Sequence, residues 1–162
     1  MHDSRIRNYA KLISKTNGAR MTESTAEDLD IHLEGADQVP FVDYLVLGDE
    51  PHLEASECLE CGARFFDRRN ACAKCFNSKF KKVRVDQTGE VTSFTIVEMG
   101  PQPYVSAIVD CGGTHVRCTL IGVEPSPEAV HLGMKVGLKT YLMGTDSEGT
   151  EAIAFGFTPV GK

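Results

Sequence analysis

Cys58-Leu59-Glu60-Cys61-Gly62 and, with ten residues between Cys61 and Cys72, Cys72-Ala73-Lys74-Cys75 decide how this chain folds. Each C-x-x-C pair makes a knuckle, a backbone turn that aims two sulfurs at one point. Two knuckles supply four thiolates at about 2.3 Å in a tetrahedron, the closed shell of a structural zinc site. Gly62 relieves the tight turn after the first pair. The spacing is also compatible with two disulfides, an iron site or a redox C-x-x-C; zinc, one ion per chain, is the reading adopted. A closed four-sulfur shell has no open position, so metal catalysis is not expected. His52 lies nearby and reads as a surface or interface residue, since four sulfurs already complete the shell.

Outward from the knuckles, charge comes in blocks. From Thr22 to Glu57 there is no Lys or Arg, while Asp and Glu recur. From Arg64 to Arg84 the balance reverses, and only Asp67 is acidic. One reading is a solvated basic face that folds against the acidic segment. The sharper one is a polyanion site, for nucleic acid or for the phosphorylated adenosine end of coenzyme A. Arg64, Arg68, Arg69 and Lys74 are its candidates, because they radiate from a zinc-fixed loop and a guanidinium fork suits phosphate. A single-strand binder interleaves exposed aromatics with its basic residues. Phe65, Phe66, Phe76 and Phe80 are present, but they also suit the small core of a ribbon.

Beyond Lys81 the pattern is β. Val83–Asp86 alternates, Thr88-Gly89 reads as a bulge or turn, and Val91–Val97 is rich in β-formers. Tyr104–Asp110 and Thr114–Ile121 are strands around the Cys111-Gly112-Gly113 turn. A crossover of one helical turn starts at Pro125, and Lys135–Met143 and Thr150–Phe157 flank a turn at 144–149. Five strands with one longer excursion after the third describe an OB-type barrel. Before the ribbon, residues 4–15 read as an amphipathic helix, Asp28–Glu34 as a strand or extended arm, and Pro40–Leu47 as a helix with Pro in its first turn. Phe41, Tyr44 and Leu45 of that segment are candidate interface anchors. The expected organisation is an N-terminal helical or extended arm over 1–50, a ribbon over 51–80 and a five-stranded barrel over 81–162, mainly β.

Totals set the limits. The chain has 162 residues, of which 41% are hydrophobic and 7% aromatic, enough for one modest core. A net charge of −6 argues against the whole chain being a nucleic-acid or membrane-surface binder. No apolar run approaches the roughly 18–20 residues of a membrane helix. Without an apolar leader the six cysteines point to a reducing, cytoplasmic setting rather than to three disulfides. The basic first twenty residues also resemble a mitochondrial transit peptide, the lesser reading. Cys118 reads as a core residue. Cys111 and His115 straddle a turn with no base or oxyanion hole marked, so no catalytic residue is assigned.

The order of parts then resembles a known family. Cys58–Phe66, Arg69–Cys75, Gly89–Thr95, Pro103–Val109, Leu120–Val123 and Gly133–Val136 carry the resemblance, over residues 40–160. The family fuses a rubredoxin-like zinc ribbon to an OB fold and associates with acyl-CoA enzymes. The resemblance implies a non-catalytic accessory subunit that docks on a thiolase-like partner, two of each, and helps form the passage for the coenzyme A thioester. Relatives serve acetoacetyl-CoA thiolases, polyketide acyltransferases and aldolases that shorten sterol side chains; another is the small subunit of 2-benzoylsuccinyl-CoA thiolase. Ala73 and Asp67 stand where the family often has proline, and residues 1–39 fall outside the match. The alternative is a stand-alone OB module for single-stranded nucleic acid.

Overall fold

The computed structural model describes residues 37–161, apart from Arg68 and Pro101. The helix expected over 4–15 and the strand expected at 28–34 lie outside them. The described residues form ten strands and no helix.

The sheet nearest the cysteines is organised by β3 (His52–Cys58). It pairs antiparallel with β2 (Leu45–Val46), β4 (Arg64–Phe65) and β5 (Phe80–Arg84). Alternation along β3 turns Leu53 and Ala55 inward, to 2% and 0% exposure. Those two side chains, with Leu45 and Val85, belong to the same buried cluster as the barrel interior. The ribbon is therefore seated on the barrel through shared apolar packing.

The barrel consists of β6 (Thr88–Val97), β7 (Tyr104–Cys111), β8 (Thr114–Leu120), β9 (Lys135–Thr145) and β10 (Glu151–Pro159). Its ring of neighbours runs β6, β7, β8, β10, β9 and back to β6. All pairings are antiparallel except β8 with β10, the parallel contact that closes the barrel. Period-two sequence writes the interior. Val105, Ala107, Val109 and Cys111 of β7 face Thr114, Val116, Cys118 and Leu120 of β8 inside, while Tyr104, Ser106, His115 and Arg117 point out. The crossover after β8 makes one hydrogen-bonded turn, the Ser126 carbonyl accepting from Ala129 and Val130, and lowers Val130 into the core at 1% exposure.

Three expectations are corrected. Pro40–Leu47 is not a helix. Gln38–Pro40 is β1, parallel to the start of β10, and Phe41 N–H donates to the Ile153 carbonyl at 2.7 Å. The chain then turns, Leu45 N–H donating to Val42, and enters β2. Two sheet edges satisfy this backbone in extended form, and tertiary pairing overrides a short apolar periodicity. The strand expected at Val83–Asp86 is β5, and it pairs with β3 of the ribbon, not with the barrel. Gly89 is not a turn: it lies within β6, and the register break falls between Val91 and Ser93. A Cβ on Gly89 would strike Val109 Cγ1 at 2.7 Å, so the glycine marks a close approach.

Gly156 marks another. A Cβ there would sit 2.8 Å from the Thr119 carbonyl oxygen and 3.3 Å from Ile121 Cγ2, where β10 passes β8. Since backbone must move, Gly156→Ala is expected to destabilise the fold by about 1–3 kcal/mol. Denaturant unfolding should show a lower midpoint at unchanged slope; an unchanged midpoint would mean the barrel closes more loosely than described.

Candidate metal centre and the surfaces around it

β3 delivers Cys58 to the first knuckle. Gly62 N–H donates to the Cys58 carbonyl at 3.0 Å, and Phe76 N–H donates to the Cys72 carbonyl at 2.9 Å. The knuckles are thus the same turn, and each requires a left-handed residue just after its second cysteine: Gly62 has φ 68° and Phe76 has φ 61°. The four sulfurs converge, all within 4.8 Å of one another. Cys58 and Cys75 Sγ are 3.5 Å apart, Cys61 and Cys72 Sγ 3.6 Å apart. A tetrahedron with arms of about 2.3 Å has edges of about 3.8 Å, so the set fits zinc.

The local field also suits a metal. Desolvation opposes the Cys72 thiolate, but the Cys75 and Lys74 N–H groups point at its sulfur, Lys74 N at 3.4 Å, and bring its pKa below the usual thiol range. Asn77 N–H favours the Cys75 thiolate, yet burial and the three neighbouring sulfurs outweigh it and raise that pKa. Four thiols this close cannot all ionise without a cation among them. Bound there, zinc supplies cross-links that the ribbon's small core does not. His52 takes no part; its Nδ1 lies 2.9 Å from the Glu50 carbonyl.

The basic residues divide. Arg64 donates through Nε to Glu57 Oε2 at 2.8 Å and through Nη1 to Thr114 Oγ1 at 3.1 Å, tying ribbon to barrel. Lys81 meets the other Glu57 oxygen at 3.0 Å, and these two partners hold the Glu57 carboxyl below the usual range. Arg84 pairs with Glu50 at 3.1 Å. Part of the basic block does fold against the acidic segment, and Arg64 is a structural tie rather than a free phosphate ligand. Arg69 lies 4.5 Å over the Phe65 ring and 4.0 Å from Asp67. Arg68 lies outside the described residues. Phe65 and Phe80 meet edge to face, and Phe66 packs on Tyr44. Phe76 does not join that core, being 82% exposed.

Of the three anchors expected from the sequence, Leu45 is corrected: at 2% exposure it pairs with Leu53 inside the core. Tyr44 is half-buried between Phe66 and Phe155, and Phe41 stays exposed. Phe41 and Tyr44 border a cavity of about 340 Å³ on the outer face of β7 and β8, with Tyr104, Arg117, Tyr141 and Phe155. Sequence reasoning missed it; the outward positions of the two alternating strands were the available signal. Cys111 is buried, and burial with Asp110 and Asp86 pushes its thiol up to about 11. Cys118 is likewise pushed up to about 12. His115 points to the opposite side of the sheet, so Cys111 and His115 are not brought together.

Fold and site define the class: a four-cysteine ribbon seated on an OB-type barrel. The ChsH2 rubredoxin-like zinc ribbon domain matches residues 47–81, and the ChsH2 C-terminal OB-fold domain matches residues 82–140. The two matches abut and together span more than half the chain, which belongs to this family. A DUF35 domain-containing scaffold protein of Methanocaldococcus jannaschii is 31% identical over 86 residues, covering 49% of this chain and 60% of that protein. A DUF35 domain-containing scaffold protein of Methanothermobacter thermautotrophicus is 27% identical, covering 67% of this chain and 86% of that protein. This chain thus spans about three fifths of the first relative's length. A solved structure described as an Ltp2-ChsH2(DUF35) aldolase matches with a TM-score of 0.53 at 25% identity, over 67% of this chain and 84% of that one.

Phe76 occupies a conformation that glycine adopts freely, so Phe76→Gly is expected to stabilise the zinc-loaded ribbon by about 1 kcal/mol. A loss of stability in a thermal melt would show that the exposed ring has a packing partner within the chain. The core thiols predict a pH response of definite sign. The folded state keeps the Cys111 proton that an unfolded chain releases near 9.0, so stability is present below that pH and lost as pH rises from 9.0 through about 11. At pH 8 the native protein should resist alkylation at Cys111 and Cys118; rapid labelling of either, read by mass spectrometry, would contradict their burial.

Proposed function

We propose that this chain is a non-catalytic accessory subunit of a thiolase-type complex acting on acyl-CoA thioesters. The observation that carries it is the pairing, in one chain and in this order, of both ChsH2 domains. The neighbouring structure is described as an aldolase assembled from Ltp2 and ChsH2, and the curated relatives are described as scaffold proteins. Claisen-type chemistry requires an activated nucleophile, a base and an oxyanion hole. Cys111 is buried with its thiol held protonated, and His115 is on the other face. The catalytic set then belongs to the partner.

In this reading zinc rigidifies the ribbon, and the ribbon helps shape the passage for the coenzyme A arm. With Arg64 committed to Glu57 and Thr114, Arg69 and Lys74 are the cations offered to phosphate or to an acidic rim of the partner. A heterotetramer, two of each subunit, in the cytoplasm is the proposed assembly.

Mixing separately purified subunits and following CoA-dependent cleavage tests the proposal. A stable complex that is active only with both chains is expected, with Cys111→Ala retaining most of that activity. Full activity of the thiolase alone, or thioester turnover by this chain alone, would overturn it. Arg69→Ala with Lys74→Ala should raise KM for the thioester in the intact complex, and added salt should shrink the difference; an unchanged KM would leave these residues as solvated surface.

A further inference from the structure

We propose that the cavity on the outer face of β7 and β8 is a binding site for a small organic acid, a carboxylate on a flat apolar body. The proposal stands apart from the accessory-subunit reading, because it concerns the chain on its own. At about 340 Å³ the cavity lies in the range of small-molecule sites. Five rings are among its walls: Phe41, Tyr44, Tyr104, Tyr141 and Phe155, with Phe155 and Tyr141 half-buried and Tyr104 at the rim, 45% exposed. Such walls take a flat apolar group.

Arg117 supplies the polar end. Of the four arginines among the described residues, Arg64, Arg69 and Arg84 each lie beside an acid. No acidic partner among the described residues meets Arg117, which projects from the same outward face into the cavity lining. Two residues along that face, Thr119 sits directly across from Ser106, and both residues line the cavity. Burial raises the pKa of the Tyr141 phenol, keeping it a hydrogen-bond donor. A guanidinium fork, flanking hydroxyls and aromatic walls match a monoanionic carboxylate with an apolar body. A nucleic-acid strand would instead require a row of cations along a groove, and among the described residues Arg117 is the one cation lining this cavity.

The test uses the zinc-loaded full chain and 3-phenylpropionate, followed by amide chemical shifts in NMR. A millimolar probe is expected to give saturable shifts centred on Tyr104, Ser106, Arg117 and Thr119. The uncharged isostere 3-phenylpropan-1-ol, and propionate, which lacks the ring, should each bind about tenfold more weakly or worse. Arg117→Ala should abolish the preference for acid over alcohol, and Arg117→Lys should restore part of it. Arg117 is exposed, so neither variant threatens the fold. Equal affinity for acid and alcohol, shifts centred on the ribbon, or no saturable shift with the acid would each overturn the proposal.

Discussion

Four cysteine sulfurs within 4.8 Å of one another cannot all be thiolates unless a cation lies among them, and the ribbon is built around that constraint. Two identical turns present the sulfurs, and both need a left-handed residue at the same place. Glycine meets the need at Gly62. At Phe76 an aromatic side chain occupies the position and remains open to solvent. Metal-fixed turns of this kind tolerate local strain because their bonds to the ion over-determine the backbone.

From the metal the order passes outward through β3. Its last residue, Cys58, is one of the four converging sulfurs, while Leu53 and Ala55 earlier in the strand are buried with the barrel core. The Glu57–Arg64–Thr114 chain of hydrogen bonds joins ribbon to barrel at a second place. With apolar packing from Leu53 and Ala55 and this polar link from Glu57 further along β3, the ribbon has a defined orientation on the barrel. A partner would meet a single preformed surface, not two tethered modules, and would recover affinity otherwise lost in ordering.

Much of this was legible in the chain itself, for identifiable reasons. C-x-x-C spacing is local chemistry, and two such pairs specify a tetrahedral site wherever the intervening loop goes. Runs rich in β-formers on either side of the Cys111-Gly112-Gly113 turn specify a pair of strands, and the fold then buries every second side chain of each. Five such strands in this order and spacing specify the barrel. The ribbon-plus-barrel order was enough to place the chain in its family.

Other features were settled only by long-range contacts. The apolar residues from Pro40 to Leu47 fit a helical period as well as they fit two surfaces of a sheet; pairing with β10 and β3 decided between them, and sent Leu45 inward while Phe41 stayed outside. Phe80–Arg84 reads as a strand in sequence, but alternation carries no information about its partner, and its pairing with β3 comes from the fold. The fate of each basic residue was likewise undetermined. Arg64, Arg84 and Arg117 have the same side chain, yet two are consumed by acids that tertiary structure brings near and one faces a ring-lined cavity. Local geometry is written in neighbouring residues, whereas the partner of a strand or a charge depends on what the rest of the chain places beside it.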